Sequence, residues 1–194
     1  MGIVERTRLS MHRESAQHEG RPGDHAERAV RAAVDLLVAR LGPVAEIVPC
    51  DPALADTASF CAAYGYAPED SANTIVVVGK ADPPAYAACL VLADSRLDVN
   101  RTVRARLGTR KASFAPAGDT LAQTGQMIGG VTVFALPSDL PIWIDARVMG
   151  RRRVIVGGGS RACKVLVDTA ALASLPNAII VEGLANPIDQ VAEP

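Results

Sequence analysis

Apolar positions recur with two different periods along this chain, and each change of period marks a boundary between elements. Through HAERAVRAAVDLLVARLG, the residues Ala29, Val30, Ala33, Val34, Leu37, Val38 and Leu41 repeat at helical spacing. This predicts a helix that Asp24 caps and Gly42-Pro43 ends. Residues 44–49 (VAEIVP) form a short strand, and Asp56 or Thr57 opens a second helix that runs to Tyr64 and stops at Gly65. The runs 73–78 (NTIVVV) and 86–93 (YAACLVLA) are nearly continuous in apolar residues, the pattern of strands in a sheet covered on both faces. A turn around Asp82-Pro83-Pro84 joins them. Asp98 caps a helix through VNRTVRARLG, residues 111–115 (KASFA) form a short strand, and 119–123 a helical turn. Residues 141–145 (PIWID) predict a strand ending on a carboxylate. The β-branched runs VTVF (131–134) and VIV (154–156) each lie beside a glycine cluster, and VLV (165–167) follows the second cluster. A helix over 168–174 and a last strand over 178–181 (AIIV) complete the order. Residues 1–24 show no periodicity and are expected to be a disordered N-terminal tail, leaving 25–194 as one domain. Many short strands with interspersed short helices predict a mixed α/β (α+β) fold, with a largely antiparallel sheet or a partial barrel surrounded by helices.

Composition narrows the chemistry. Hydrophobic residues make up 49% of the chain and charged residues 21%, enough to build a sizeable core. Aromatics make up only 4%, which argues against a nucleic-acid platform built on base stacking. No apolar run approaches the length of a membrane span, so no membrane partner is expected. The four cysteines (Cys50, Cys61, Cys89, Cys163) lack CxxC spacing and sit in apolar surroundings, as reduced, buried thiols of a cytoplasmic protein would. Net charge is −1, yet six of the 20 Lys and Arg residues fall in 96–111 and six more in 147–164. The first window holds one acid, Asp98, and the second none. This pattern fits either a footprint for a polyanion or two solvated faces.

The three histidines, His12, His18 and His25, all lie in or beside the tail. The rest of the chain therefore has no imidazole base, no Ser–His or Cys–His pair and no histidine metal ligand. The glycine cluster at 157–159 matches neither GxxxxGK[ST] nor GxGxxG opening a helix. What remains is chemistry by backbone N–H groups, carboxylates, lysine or the substrate itself. The clusters Gly129-Gly130 and Gly157-Gly158-Gly159 can aim main-chain donors at a developing oxyanion, with Arg161 or Lys164 nearby. Such a site suits an activated ester better than an amide. Two tight turns in a β-rich domain are the alternative meaning of the same glycines.

From 26 to about 185 the order of elements resembles the YbaK/ProX type of aminoacyl-tRNA deacylase, an editing domain related to the insertion domain of bacterial prolyl-tRNA synthetases. The resemblance rests on Thr124-Gly125 followed by Gly129-Gly130, on Ile144-Asp145, on VIVGGGSR at 154–161, and on Lys111 upstream of the TG pair. It implies a trans-editing hydrolase of mischarged aminoacyl-tRNA in which the terminal ribose hydroxyl assists water, with no cofactor and no metal. By the same resemblance Asn73, Gly129 and Gly130 take catalytic positions. Thr132, Asp145, Gly157, Gly158, Gly159, Ser160 and Arg161 take substrate-binding positions. Arg101, Arg104, Lys111 and Arg152 face tRNA. The implied partner is the acceptor end of an aminoacyl-tRNA, with a synthetase and a second copy of the chain left open as further partners.

Two departures accompany the resemblance. Such proteins carry a lysine in a K-T-[LIV] pattern where this chain has Asn73-Thr74-Ile75. Their glycine loop continues GG-[ISV]-[ST]-P-x-G, and here Val133 and Ala135 replace the proline and the final glycine. Besides the deacylase, two other readings therefore stand: a tRNA- or small-molecule-binding module of the same fold with weakened turnover, and an unrelated small-molecule-binding α/β domain.

Overall fold

The structure is a computed structural model and describes residues 23–188. The expected N-terminal tail, apart from its last two residues, lies outside the described residues. Helix α1 (Asp24–Leu41) buries Ala26, Val30, Val34 and Leu37 along one stripe. Gly23 rather than Asp24 occupies its N-cap position. Leu41, expected on the apolar face, is exposed. Strand β1 (Ala45–Pro49) follows, and then α2 (Thr57–Tyr64), whose N-cap Asp56 accepts a hydrogen bond from the Ser59 N–H. Gly65 ends α2 in the left-handed conformation at φ 73°.

Strands β2 (Ala72–Gly79) and β3 (Ala85–Leu92) pair antiparallel, with Asn73 opposite Val91. Their connection contains a cis Asp82–Pro83 peptide. Beyond β4 (Ser95–Leu97), Asp98 accepts from the N–H groups of Arg101 and Thr102. The expected helix here is a π-helical turn, Val99–Val103, running into the short α3 (Arg104–Arg106). Strand β5 (Ala112–Phe114) and helix α4 (Ala117–Thr124) lead to the glycine-rich stretch. The remaining elements are β6 (Ile142–Asp145), α5 (Ala146–Met149), β7 (Arg153–Gly157), β8 (Cys163–Asp168), α6 (Thr169–Leu172), β9 (Ala178–Val181) and β10 (Ala185–Pro187).

These strands form three sheets. The largest has the order β5-β2-β3-β6-β9, antiparallel at β5-β2-β3 and parallel at β3-β6-β9. A second, β1-β8-β7, is antiparallel throughout. The third pairs β10 with β4. The fold is thus mixed α/β with separate open sheets rather than a closed barrel. The main core lies between the two larger sheets, where Leu90, Leu92, Ile142 and Ile144 meet Val154, Val156, Val165, Val167 and the α1 stripe. On the other face of the five-stranded sheet, Val77, Cys89, Val91 and Trp143 pack against Val103, Leu97 and Leu184. Burial on both faces explains the unbroken apolar runs of β2 and β3. Among the described residues no helix is long and apolar enough to cross a membrane.

The run VTVF at 131–134 is a buried loop whose backbone has no strand neighbour. Gln126, only 2% exposed, takes the place of one. Its side-chain oxygen accepts from the Thr132 N–H at 2.7 Å and its amide donates to the Phe134 carbonyl at 2.8 Å. A β-branched run signals burial, and here the pairing that usually accompanies burial comes from a side chain.

Candidate functional site

The two larger sheets meet where Ser71, just before β2, bridges Ile155 on β7. Beside this seam lies a cavity of about 420 Å³. Residues 71–76 of β2 and its approach form one wall, and Ile155, Val156, Gly157 and Lys164 of β7 and β8 form another. Asp56, Thr57 and Phe60 close one side; Phe114, Ala115 and the loop carrying Ile128, Gly129 and Val131 close the rest.

The glycine clusters build this cavity by packing on each other. The Gly159 N–H donates to the Gly130 carbonyl at 2.7 Å. A Cβ on Gly130 would lie 2.6 Å from the carbonyl carbon and oxygen of Ser160, so only glycine lets the two backbones approach this closely. Gly159 (φ +86°) packs in the same way against Ala26 and Val30 of α1, and Gly158 against Cys163. Gly129 (φ +89°) lies under the Arg161 side chain, whose guanidinium donates to the Pro52 carbonyl at 2.9 and 3.1 Å. The Gly130 N–H is occupied, donating to Met127 O at 3.0 Å. Gly129 and Gly157 line the cavity, whereas Gly130, Gly158 and Gly159 form the packed layer behind it. The N–H groups of Gly129 and Val131 have no hydrogen-bond partner among the described residues.

Several polar side chains converge on the same space. The Asn73 carbonyl oxygen accepts from the Thr57 hydroxyl at 3.2 Å, leaving its amide nitrogen without a protein partner among the described residues. The Thr74 hydroxyl is buried and has no hydrogen-bond partner there. The Ser59 N–H and hydroxyl hold the Asp56 carboxyl below its usual pKa, so it is ionised at neutral pH. Lys164 enters from β8, with its ammonium 2.6 Å from the Ala55 carbonyl and 5.6 Å from the Phe60 ring centroid. Sequence reasoning placed Lys164 only near the site, and it passed over Thr74, Asp56 and Thr57. The strand pattern carried a signal for Lys164, because Lys164 and Leu166 alternate with the buried Cys163, Val165 and Val167. That alternation turns Lys164 toward the side where Phe60 and Cys50 cluster with Leu166.

Other expected site residues have structural work elsewhere. Asp145, 1% exposed, is absent from the cavity lining. One of its oxygens accepts from the Arg147 N–H at 3.0 Å and the other from the Ala185 N–H at 2.8 Å, so it ties β10 to the end of β6. Thr132 is fully buried in the Gln126-braced loop, away from the cavity. Ser160 donates to Glu27 of α1 at 2.7 Å and accepts from the Ala162 N–H, fixing the second glycine turn on the helix. All four cysteines are free and buried. Burial raises the Cys163 thiol to about 11 and also raises Cys50 and Cys89, so these three remain protonated near neutral pH. Among the described residues no group of three or more His, Cys, Asp or Glu is placed to hold a metal ion.

The two basic windows have different fates. In the second, acids outside the window pair with three of the six basic residues: Arg147 meets Asp94, Arg151 meets Asp70, and Arg153 meets Glu46 and Asp168. Arg152 is exposed and makes no ion pair among the described residues. In the first window Arg101, Arg104 and Lys111 are exposed and make no ion pair there either, while Arg106 lies 5.6 Å from the Trp143 ring centroid. The π-helical turn carrying Arg101 packs on β5. Phe114, at the end of β5, lines both the main cavity and an adjoining groove edged by Arg96 and Asn100.

The architecture is similar to that of solved proteins. One is a crystal structure of a candidate trans-editing enzyme for prolyl tRNA synthetase, with TM-score 0.69 and 22% identity over 81% of this chain and 95% of that one. A hypothetical protein matches at TM-score 0.69 and 20% identity, covering 79% of this chain and 99% of its own. At these identities the likeness establishes the fold alone. Family assignment comes from the sequence: residues 51–175, which include the cavity's β2 wall, both glycine clusters and Lys164, match the aminoacyl-tRNA editing domain. The chain belongs to the aminoacyl-tRNA editing domain family.

Proposed function

We propose that this protein hydrolyses the ester bond of mischarged aminoacyl-tRNA in the cavity beside the β2–β7 seam. The observation that carries this reading is the set of polar groups left without partners there: the Thr74 hydroxyl, the Asn73 amide nitrogen and the N–H groups of Gly129 and Val131. Buried polar groups are nearly always satisfied, so the buried Thr74 hydroxyl and the N–H of the buried Val131 fit a polar ligand. The exposed Asn73 amide and Gly129 N–H are further open donors at the rim. An aminoacyl ester offers a carbonyl, an ammonium and ribose hydroxyls. The ionised Asp56 carboxylate supplies a counter-charge for the α-ammonium group. Among the described residues the cavity lining contains no histidine and no cysteine, so water is the attacking group and the tRNA ribose hydroxyl the leaving group.

In this reading Asn73 contributes a neutral hydrogen bond. Asn73→Ala is expected to lower the rate by at most about tenfold, the scale of one neutral hydrogen bond. Single-turnover deacylation measures it, and an unchanged rate would remove Asn73 from the site. A binding module without turnover is the second reading, favoured by the neutral Asn73 and by its bond to Thr57.

The acceptor end reaches the cavity past Phe114, along the exposed Arg101, Arg104 and Lys111, with Arg152 as a separate contact. Phosphate contacts release counterions, so affinity falls linearly with salt on a logarithmic scale. Arg104→Glu and Arg152→Glu are each expected to weaken tRNA binding and to reduce the salt slope by roughly one. Binding assays from low to physiological salt check this; a flat dependence would contradict it.

A further inference from the structure

We propose that Lys164 is the catalytic cation of this site, its ammonium group stabilising the oxyanion that forms on the ester carbonyl during hydrolysis. This rests on the deacylase reading above. Among the described residues Lys164 is the only lysine or arginine in the cavity lining. It projects from the middle of the β1-β8-β7 sheet, flanked by Val48 on β1 and Gly157 on β7, so its base is rigid. One hydrogen bond, to the Ala55 carbonyl, fixes the ammonium at 2.6 Å, and the Phe60 ring supports it from the side. An ammonium carries three N–H donors, so two stay open.

Lys164 forms no ion pair among the described residues. A partly buried cation without a paired anion is held at a cost, and the cost is recovered when negative charge arrives beside it. The groups that face it are Asp56 at the N-cap of α2, Arg161 in the β7–β8 turn, Cys50 after β1 and Cys61 on α2. Burial is the largest influence and holds the Lys164 pKa below the usual lysine value; Arg161 acts in the same direction, and Asp56 and the two cysteines oppose it. A preorganised charge in a partly water-excluded pocket is the arrangement that favours a transition state over a ground state.

The chemistry balances without any further reagent. Water adds to the ester carbonyl carbon, and the C=O π pair moves onto the carbonyl oxygen, whose negative charge faces the ammonium. The tetrahedral intermediate then collapses, the bond from carbon to the ribose oxygen breaks, and a proton from the attacking water passes to that oxygen. The products are the free amino acid and the tRNA hydroxyl, and Lys164 ends protonated as it began. An ammonium in this cavity could instead hold a phosphate of the terminal nucleotide, and kinetics separates the two. Contact with the oxyanion appears in kcat, whereas contact with a phosphate appears in KM.

The test is steady-state and single-turnover deacylation of the mischarged tRNA that the full-length protein hydrolyses fastest in a panel, using wild type, Lys164→Gln and Lys164→Arg. Lys164→Gln is expected to lower kcat by about 10²- to 10³-fold with KM within about twofold, the scale of one oxyanion donor. Lys164→Arg keeps the charge and recovers part of that loss. With buffer hydrolysis subtracted, the wild-type rate falls as pH rises through the Lys164 pKa. Lys164→Gln lacks that falling limb and Lys164→Arg moves it to higher pH, which a purely structural lysine would not produce. If Lys164→Gln does not fold, the pH profiles of wild type and Lys164→Arg decide. An unchanged kcat, a change confined to KM, or identical pH profiles would each overturn the role of Lys164 while leaving the deacylase reading in place. A wild type that hydrolyses no tRNA in the panel would overturn both.

Discussion

Gly130→Val is expected to bring deacylation down to the uncatalysed rate. The reason is space rather than backbone strain, since Gly130 does not have positive φ. A Cβ there would sit 2.6 Å from the Ser160 carbonyl carbon and oxygen and 2.8 Å from its Cα, and none of these atoms belongs to a side chain that can swing away. The two glycine loops must separate, breaking the bond from the Gly159 N–H to the Gly130 carbonyl. Gly129 and Val131, which line the cavity on either side, then lose their positions. Overpacking of this kind costs about 1–3 kcal/mol, small enough for the domain to stay folded while the cavity is lost. Deacylation assays together with circular dichroism check the outcome. A folded Gly130→Val protein with near-wild-type activity would show that the cavity does not depend on the contact between the loops.

Gln126→Leu is expected to lower stability by about 3 kcal/mol and the melting temperature by roughly 10 °C. Leucine fills the space but leaves the Thr132 N–H and the Phe134 carbonyl buried without partners, and each orphaned group costs about 1–3 kcal/mol. Thr132→Val makes the contrast. The Thr132 hydroxyl is itself buried and unpartnered, so replacing it with a methyl group removes a penalty. Its melting temperature is expected to stay level or rise. Thermal denaturation of the two variants measures both effects. Equal and small shifts would mean that water reaches the 131–134 loop and that Gln126 does not brace it.

This loop also marks what the sequence could and could not disclose. The spacing of β2 and β3 was legible because both faces of their sheet are covered, and covered strands write themselves as unbroken apolar runs. VTVF carries the same composition, yet its pairing partner is a glutamine five residues before it, which no periodicity reports. Strands β4 and β10 contain three residues each, too few for an alternation to register. The glycine clusters were legible as points of close backbone approach, because adjacent glycines away from a hairpin demand it. Their division of labour was not, since which glycine lines a cavity and which packs behind it depends on elements far away in the chain. Asp145 shows the same limit. A carboxylate at a strand end has the same local sequence whether it meets a ligand or caps a helix, and only the arrival of Ala185 from β10 decides it. The pairing of half the second basic window was hidden for a related reason, because Asp70, Asp94 and Glu46 reach Arg151, Arg147 and Arg153 from positions outside the window. Lys164 was hidden within that window, although its place in an alternating apolar strand distinguished it from its neighbours.

The central claim is that the cavity beside the β2–β7 seam hydrolyses aminoacyl esters. The most direct measurement is the rate at which the full-length protein releases amino acid from each member of a panel of correctly charged and mischarged tRNAs. At least one mischarged tRNA is expected to lose its amino acid well above the buffer rate, with that excess absent in Gly130→Val. A folded wild-type protein that binds tRNA but accelerates hydrolysis of no member of the panel would contradict the claim.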